Sequence, residues 1–192
     1  MLPRVAILVG TKGRGTNMAS LIAACHSGYV PAQAALVVSP KAGTPAAIRA
    51  ESLGVPVTVI ERSDDYEQEM LDALWQNEID VICLAGYMFL LPQEVVRRYE
   101  GRILNIHPAL LPKYGGKGMY GIHVHEAVIA ASEKESGCSI HFVNERYDEG
   151  AVLLQKKCPV LPDDTPESLA ERVLDLEHTA YPEALKMLVE RL

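Results

Sequence analysis

The sequence predicts an α/β fold: a mostly parallel, Rossmann-like sheet with helices on both faces, followed by a C-terminal antiparallel hairpin and a long final helix. Three observations predict it. As far as residue 108, short continuous apolar runs alternate with segments of helical spacing, the pattern of strands buried on both faces and joined by helical crossovers. A glycine-rich loop, "GTKGRGTNM", links the first apolar run to the first helical segment. Beyond residue 121, two strand-like runs are separated only by the turn-rich "RYDEG", and the chain closes on a segment with helix-start signals. With 192 residues, 48% of them hydrophobic, there is material for one core and a single domain, 1–192.

Taken in order, "VAILVG" is a buried strand ending at Gly10, and "NMASLIAACHSG" is a helix closed by Gly28. The strand "AALVVS", a helix from Thr44 to Ser52 closing at Gly54, and the strand "VPVTVIE" follow. A helix across "DDYEQEMLDALWQNE", the strand "DVICLAG", a short helix after Pro92 and the strand "RILNIH" complete the alternation. A helix from about Ile122 to Glu135 then leads to the hairpin strands "GCSIHFVNE" and "AVLLQKKCPV". In "TPESLAERVLDLEHTAYPEALKMLVERL", Thr165 is the expected N-cap, Pro166 the first helical residue and Pro182 a kink or break.

Charge narrows the partners. Acidic side chains outnumber basic ones 25 to 18, a net charge of −7, which disfavours nucleic acid and anionic membrane and points to small-molecule substrates. "MLPRVAILVG" lacks the basic region, long apolar run and cleavage site of a signal peptide, and no later stretch approaches the roughly 18 apolar residues of a membrane span. Cys25, Cys83, Cys138 and Cys158 form no C-x-x-C pair, so buried thiols in a reducing, cytoplasmic setting are expected.

In the first loop, Gly13 and Gly15 allow close backbone approach to an anion, while Thr16 and Asn17 can cap the helix and donate to a phosphate. A dinucleotide fingerprint would need glycine where Met18 stands and an acid where Ser39 stands, and the G-K-[ST] ending of a P-loop is missing. The loop better suits the single phosphate of a mononucleotide; the alternative is a tight capped turn with no ligand.

The second candidate site lies in "GRILNIHPALLPKYGG". Residues two apart on a strand share a face, so Asn105 and His107 project together near the strand's C-terminal end, where open α/β sheets bind ligands. Pro108 keeps His107 extended and sets the imidazole at the rim of the sheet. Such a pair suits acyl or formyl transfer, with the amide and a protonated imidazole stabilising a developing oxyanion. Asp148 in "NERYDEG" is the candidate acid that would lean over the rim and raise the His107 pKa. Spacing alone leaves open a buried, satisfied Asn–His pair with Asp148 a solvated turn residue.

"GRGTN", "LAGYM", "GRILNIHPALLPKYGG", "GCSIHFVNERYDEGAVLLQ" and "LEHTAYP", in that order, give the chain a resemblance to the folate-dependent formyltransferases that runs from the first strand to the final helix. The resemblance implies transfer of the formyl group of 10-formyltetrahydrofolate, as co-substrate, to the amine of glycinamide ribonucleotide in purine synthesis. It implies that Asn105 and His107 stabilise the oxyanion while Asp148 supports His107 and orders a proton-relaying water. Gly15, Thr16 and Asn17 match the phosphate loop, Gly86 a close backbone approach to the substrate, and Glu177 the acid that binds the ribose hydroxyls. Met88, Phe89, Leu90, Leu91 and Val96 would wall the folate site on one side and Asn144, Glu145, Arg146, Tyr147 and Asp148 on the other. Residues 1–108 would then be the nucleotide-binding half, and 109–192 the folate-site loop, hairpin and helix.

Two departures stand out. Phe89 occupies the place where many members carry a basic residue that attracts the glutamate tail of folate, and "KYGGKGMYGIH" is longer than the shortest version of that loop, suiting a mobile lid or an oligomer contact. His123 and His125 point to different helix faces, so no metal site is expected, and His141 is expected as a strand residue beside the site. A tRNA formyltransferase would be expected to carry a further domain and a basic surface, and a formyltetrahydrofolate hydrolase an N-terminal regulatory domain. A binding protein without catalysis would be expected to lack one of Asn105, His107 or Asp148, and all are present. The assembly expected is a monomer or a homodimer.

Overall fold

The computed structural model describes residues 1–146 and 148–192; Tyr147, expected on the folate side of the site, lies outside the described residues. The order of elements is β1 (Arg4–Val9), α1 (Thr16–His26), β2 (Gln33–Ser39), α2 (Pro45–Ser52), β3 (Val57–Val59), α3 (Tyr66–Gln76) and β4 (Val81–Ala85). It continues with α4 (Gln93–Arg98), β5 (Ile103–His107), α5 (Ile122–Ala130), β6 (Glu135–Phe142), β7 (Val152–Pro159) and α6 (Pro166–Val189). The strands form one sheet in the order β3-β2-β1-β4-β5-β6-β7. Pairing is parallel from β3 through β5 and antiparallel for β5–β6 and β6–β7.

Alternate residues of each strand feed opposite faces, which is why the apolar runs are continuous. Val5, Ile7 and Val9 of β1, Cys83 of β4 and Leu104 of β5 pack with α1, α2 and α6. Ala6, Leu8, Ile82, Leu84 and Ile103 pack with α3 and α4 on the other face. Chain order reverses between β1 and β4, and this opens a crevice beyond the carboxyl ends of those strands. The walls come very close there: a Cβ on Gly10 would overlap the carbonyl oxygen of Gly86. Across β4 and β5, the fully buried Tyr181 of α6 directs its hydroxyl to the carbonyl oxygens of Leu84 and Leu104, at 2.9 and 3.0 Å.

Four local expectations give way. "VPVTVIE" contributes only the three residues Val57–Val59, because β3 is an edge strand that pairs with just the end of β2. α5 stops at Ala130, ahead of Ser132 at φ 54, and Glu135 already belongs to β6. Pro182 neither ends nor interrupts α6. A proline removes one helical hydrogen bond, but Ala180, Tyr181, Ala184 and Leu185 around it are fully buried, and their packing carries the helix across the gap. Thr16 and Asn17 do not cap α1; the N-cap is Gly15 at φ 69, a left-handed conformation favourable for glycine, and no side chain caps the helix. No helix among the described residues is long and apolar enough to cross a membrane.

Candidate active site

Asn105 and His107 occupy alternate positions at the end of β5, opposite His141 and Ser139 of antiparallel β6. Asp148, at φ 54 in the β6–β7 connection, turns its carboxylate back toward them. Its Oδ2 accepts from the Gly116 N–H at 3.0 Å and stands 3.6 Å from His107 Nδ1. Its Oδ1 lies 3.4 Å from His141 Nε2 and 3.5 Å from Asn105 Nδ2. The acid and imidazole anticipated from the sequence therefore meet, in ion-pair range.

His107 itself differs from expectation. It is buried, at 4% exposure, rather than open at the rim, because the loop after Pro108 folds back until Tyr114 O lies 2.6 Å from His107 Nε2. Nor does Asp148 raise the His107 pKa overall. Burial, the larger influence, takes it below the ordinary imidazole value, with Asp148 and the Tyr114 carbonyl opposing and His141 adding to the fall. Burial also pushes the Asp148 carboxyl up, yet the His141 ring, the Gly116 N–H and the charge of both imidazoles outweigh it, and its pKa lies below the usual carboxylate range. The cluster thus pairs an ionised acid with a hard-to-protonate imidazole.

A cavity opens beside this cluster. Phe89, Leu90, Leu91 and Val96 line one side and Asn144, Glu145 and Arg146 the other, with Asn105, His141 and Asp148 also at its wall. Met88, expected among the apolar residues, is not among those lining it and is 47% exposed. Tyr87 and Val143 line the cavity without having been anticipated. The Tyr87 hydroxyl pairs with that of Tyr66, and the Arg62 guanidinium lies over the rings of Tyr66 and Phe89, 4.8 and 5.5 Å from their centroids. A cation from β3–α3 therefore stands beside the position where the sequence substitutes phenylalanine for a basic residue.

The first loop joins β1 to α1, beyond the carboxyl end of β1. Gly13 is exposed, Gly15 opens α1, and Thr16 and Asn17 form its first turn, where unpaired N–H groups suit an anion. Asn17 is tied elsewhere: its Nδ2 donates to Glu177 Oε2 at 2.7 Å, across 160 residues of chain. Glu177 is a 7%-exposed acid on α6, not an exposed helix residue, and burial pushes its pKa up to about 7 against the Asn17 hydrogen bond. Gly86, at φ 75 beyond β4, faces Gly10 across the crevice. Gly86 thus closes against the start of the first loop, Asn17 ties the helix after that loop to Glu177, and Asn105 and Asp148 border the cavity.

Of the two α5 histidines, His123 is exposed and bonded to Glu126, whereas His125 is buried and its pKa is pushed down to about 4. No group of three or more His, Cys, Asp or Glu among the described residues is arranged to hold a metal ion.

Known proteins match along the whole of this architecture. The formyl transferase family model matches residues 4–185. A phosphoribosylglycinamide formyltransferase of Haemophilus influenzae is 38% identical over 194 residues, covering 98% of this chain and 88% of that protein. The trifunctional purine biosynthetic protein adenosine-3 of Drosophila melanogaster is 44% identical over 193 residues, which cover 97% of this chain but 14% of that much longer protein. The solved structure of a phosphoribosylglycinamide formyltransferase from Brucella melitensis superposes with a TM-score of 0.89 at 42% identity, covering 98% of this chain and 96% of that one. With the family model matching nearly end to end and a relative of similar length sharing its fold, the chain belongs to the formyl transferase family.

Proposed function

We propose that the chain transfers the formyl group of 10-formyltetrahydrofolate to the amine of glycinamide ribonucleotide, a step of purine synthesis. The observation that carries this reading is the convergence of Asn105, His107, His141 and Asp148 beside a cavity with one apolar and one polar wall, in a chain whose first helix turn is tied to a buried acid. The nucleotide phosphate would meet the first turn of α1 and its ribose hydroxyls Glu177, which directs the amine toward the cavity. The formyl-bearing folate would enter between the wall from Phe89 to Val96 and the hairpin loop.

In the proposed step the amine lone pair attacks the formyl carbon, and the Asn105 amide donates to the oxygen as it gains negative charge. Collapse of the tetrahedral intermediate expels the folate nitrogen; Asp148, ionised throughout, orders the water that carries the amine proton to it. His107 acts with its ring protonated, and the negative charge of the intermediate next to Asp148 favours that form. Because Nε2 is engaged by the Tyr114 carbonyl, His107 must exchange this partner, so the loop bearing Tyr114 moves as a lid during the cycle. No metal takes part. Similarity to named formyltransferases supports the reading, and the four unpaired cysteines support a reducing compartment such as the cytoplasm.

The test is deformylation of a 10-formyl folate by the purified protein, with and without glycinamide ribonucleotide. Turnover that requires the nucleotide, with a formylated product, is expected; turnover at the same rate without it would identify a hydrolase instead.

A further inference from the structure

The proposed chemistry leaves His141 without a part, although no side chain makes closer polar contact with Asn105 among the described residues. His141 sits on β6 directly opposite Asn105 on β5 and is 2% exposed, so protein groups surround most of its ring. Nδ1 lies 2.9 Å from the carbonyl oxygen of Phe142, which can only accept, so this nitrogen carries the proton in the neutral ring. Nε2 of the neutral ring is then a lone pair, and Asp148 Oδ1, 3.4 Å away, meets it favourably only when the ring is charged. The donor in reach is Asn105 Nδ2, at 3.1 Å.

That bond fixes the amide in two ways. A flipped Asn105 would set its carbonyl oxygen against both the Nε2 lone pair and the Asp148 carboxylate, two acceptors facing a third, so the nitrogen is held on this side. One amide hydrogen is engaged by His141, with Asp148 Oδ1 next to it, which leaves the other for a group in the cavity that Asn105 lines. A donor fixed beforehand in this way loses little orientational freedom when charge develops on its partner.

We infer that His141 is a positioning residue for the transfer reaction, the buried acceptor that orients the Asn105 amide so that its second N–H meets the formyl oxygen. The inference rests on the proposed role of Asn105. It predicts that an acceptor at this place matters and that the imidazole as such does not. Glutamine can present its Oε1 about where Nε2 lies, whereas methionine fills comparable space without a strong acceptor.

The experiment compares kcat, both KM values and thermal unfolding for His141→Met, His141→Gln, Asn105→Ala and the double variant Asn105→Ala/His141→Met. Removal of an oxyanion donor typically lowers kcat about 10²–10³-fold, and a mis-set donor should forfeit part of that. His141→Met is expected to lower kcat at least about tenfold with KM values little changed, and His141→Gln to recover most of the loss. In the Asn105→Ala background the methionine should add almost nothing, since its effect runs through the missing amide. Equal losses for Met and Gln, or an undiminished Met effect in the double variant, would overturn the inference. An Asn105→Ala protein with full kcat would instead overturn the proposed function's use of Asn105. Nitrogen NMR of the unaltered protein gives a check that does not depend on any variant folding. The His141 ring should be protonated at Nδ1 and bare at Nε2, with a scalar coupling between Nε2 and Asn105 Nδ2; a proton on Nε2 of the neutral ring would sink the idea.

Discussion

Glu177 keeps its carboxyl buried, and two ionisable groups that feel its charge, Cys138 on β6 and Tyr181 on α6, are themselves pushed up by burial and bring no positive charge. Its pKa is raised to about 7, so the folded state holds this proton where an exposed glutamate has lost it. The associated stability is complete below the ordinary carboxylate pKa and is lost as pH rises through about 7. Ribose hydroxyls are donors, and an ionised carboxylate is the better acceptor for them, so nucleotide affinity should move the opposite way. The nucleotide KM is expected to fall between about pH 6 and about pH 8, spanning the raised value. Glu177→Gln should raise that KM by about tenfold or more, the size of a lost hydrogen bond to a charged group, and flatten its pH profile. A second residue-scale prediction concerns Arg62. If its guanidinium over Phe89 takes the place of the absent basic residue, Arg62→Ala should raise the KM of formyl donors that carry a glutamate tail by about two- to fivefold, leave tail-less donors unchanged, and matter less at high salt. The reach of the sequence is visible at this scale. Asn105 and His107 were readable because residues two apart on a strand share a face, whereas the role of His141 depends on which strand lies opposite and in what register, a long-range property that no local pattern carries.

The elements were legible where burial dictates composition. Strands covered on both faces are largely apolar, and β1, β2 and β4 were recognisable for that reason, while β5 remained legible although Asn105 and His107 interrupt it. β3 and the end of α5 were not, since the first is cut short by having one neighbour and the second by a single left-handed serine. α6 shows both sides. Its start was written plainly: Thr165 accepts from the Ser168 N–H while Ser168 Oγ accepts from the Thr165 N–H, a reciprocal cap, with Pro166 just inside. Its continuity through Pro182 was hidden, because tertiary packing overrides the local penalty. Thr165→Ala removes the cap and is expected to cost about 1 kcal/mol, lowering Tm by about 2–4 °C in a domain of this size, with kcat unaltered. Thermal unfolding followed by circular dichroism checks it.

For the whole molecule, the alternating pattern conveyed a mostly parallel sheet but not how the hairpin joins it. β6 runs antiparallel to β5 and ends at Phe142 beside Leu104, near the start of β5, and the β6–β7 connection then turns back until the Asp148 carboxylate reaches Asn105 and His107. Net charge acts at the same scale. At −7 the molecule should give no electrophoretic shift with tRNA at physiological ionic strength, and formyl transfer to an aminoacylated tRNA should stay at background. The Tyr181 hydroxyl between the Leu84 and Leu104 carbonyls has a further bearing. Glu177 lies one helical turn ahead of Tyr181 on α6, and Asn105 directly follows Leu104, so one phenol clamps the helix that bears the acid to the strand that bears the amide. Glu177 and Asn105 behave as the fixed jaws of a caliper: whatever the loop bearing Tyr114 does, the span between helix and strand is set before any substrate arrives.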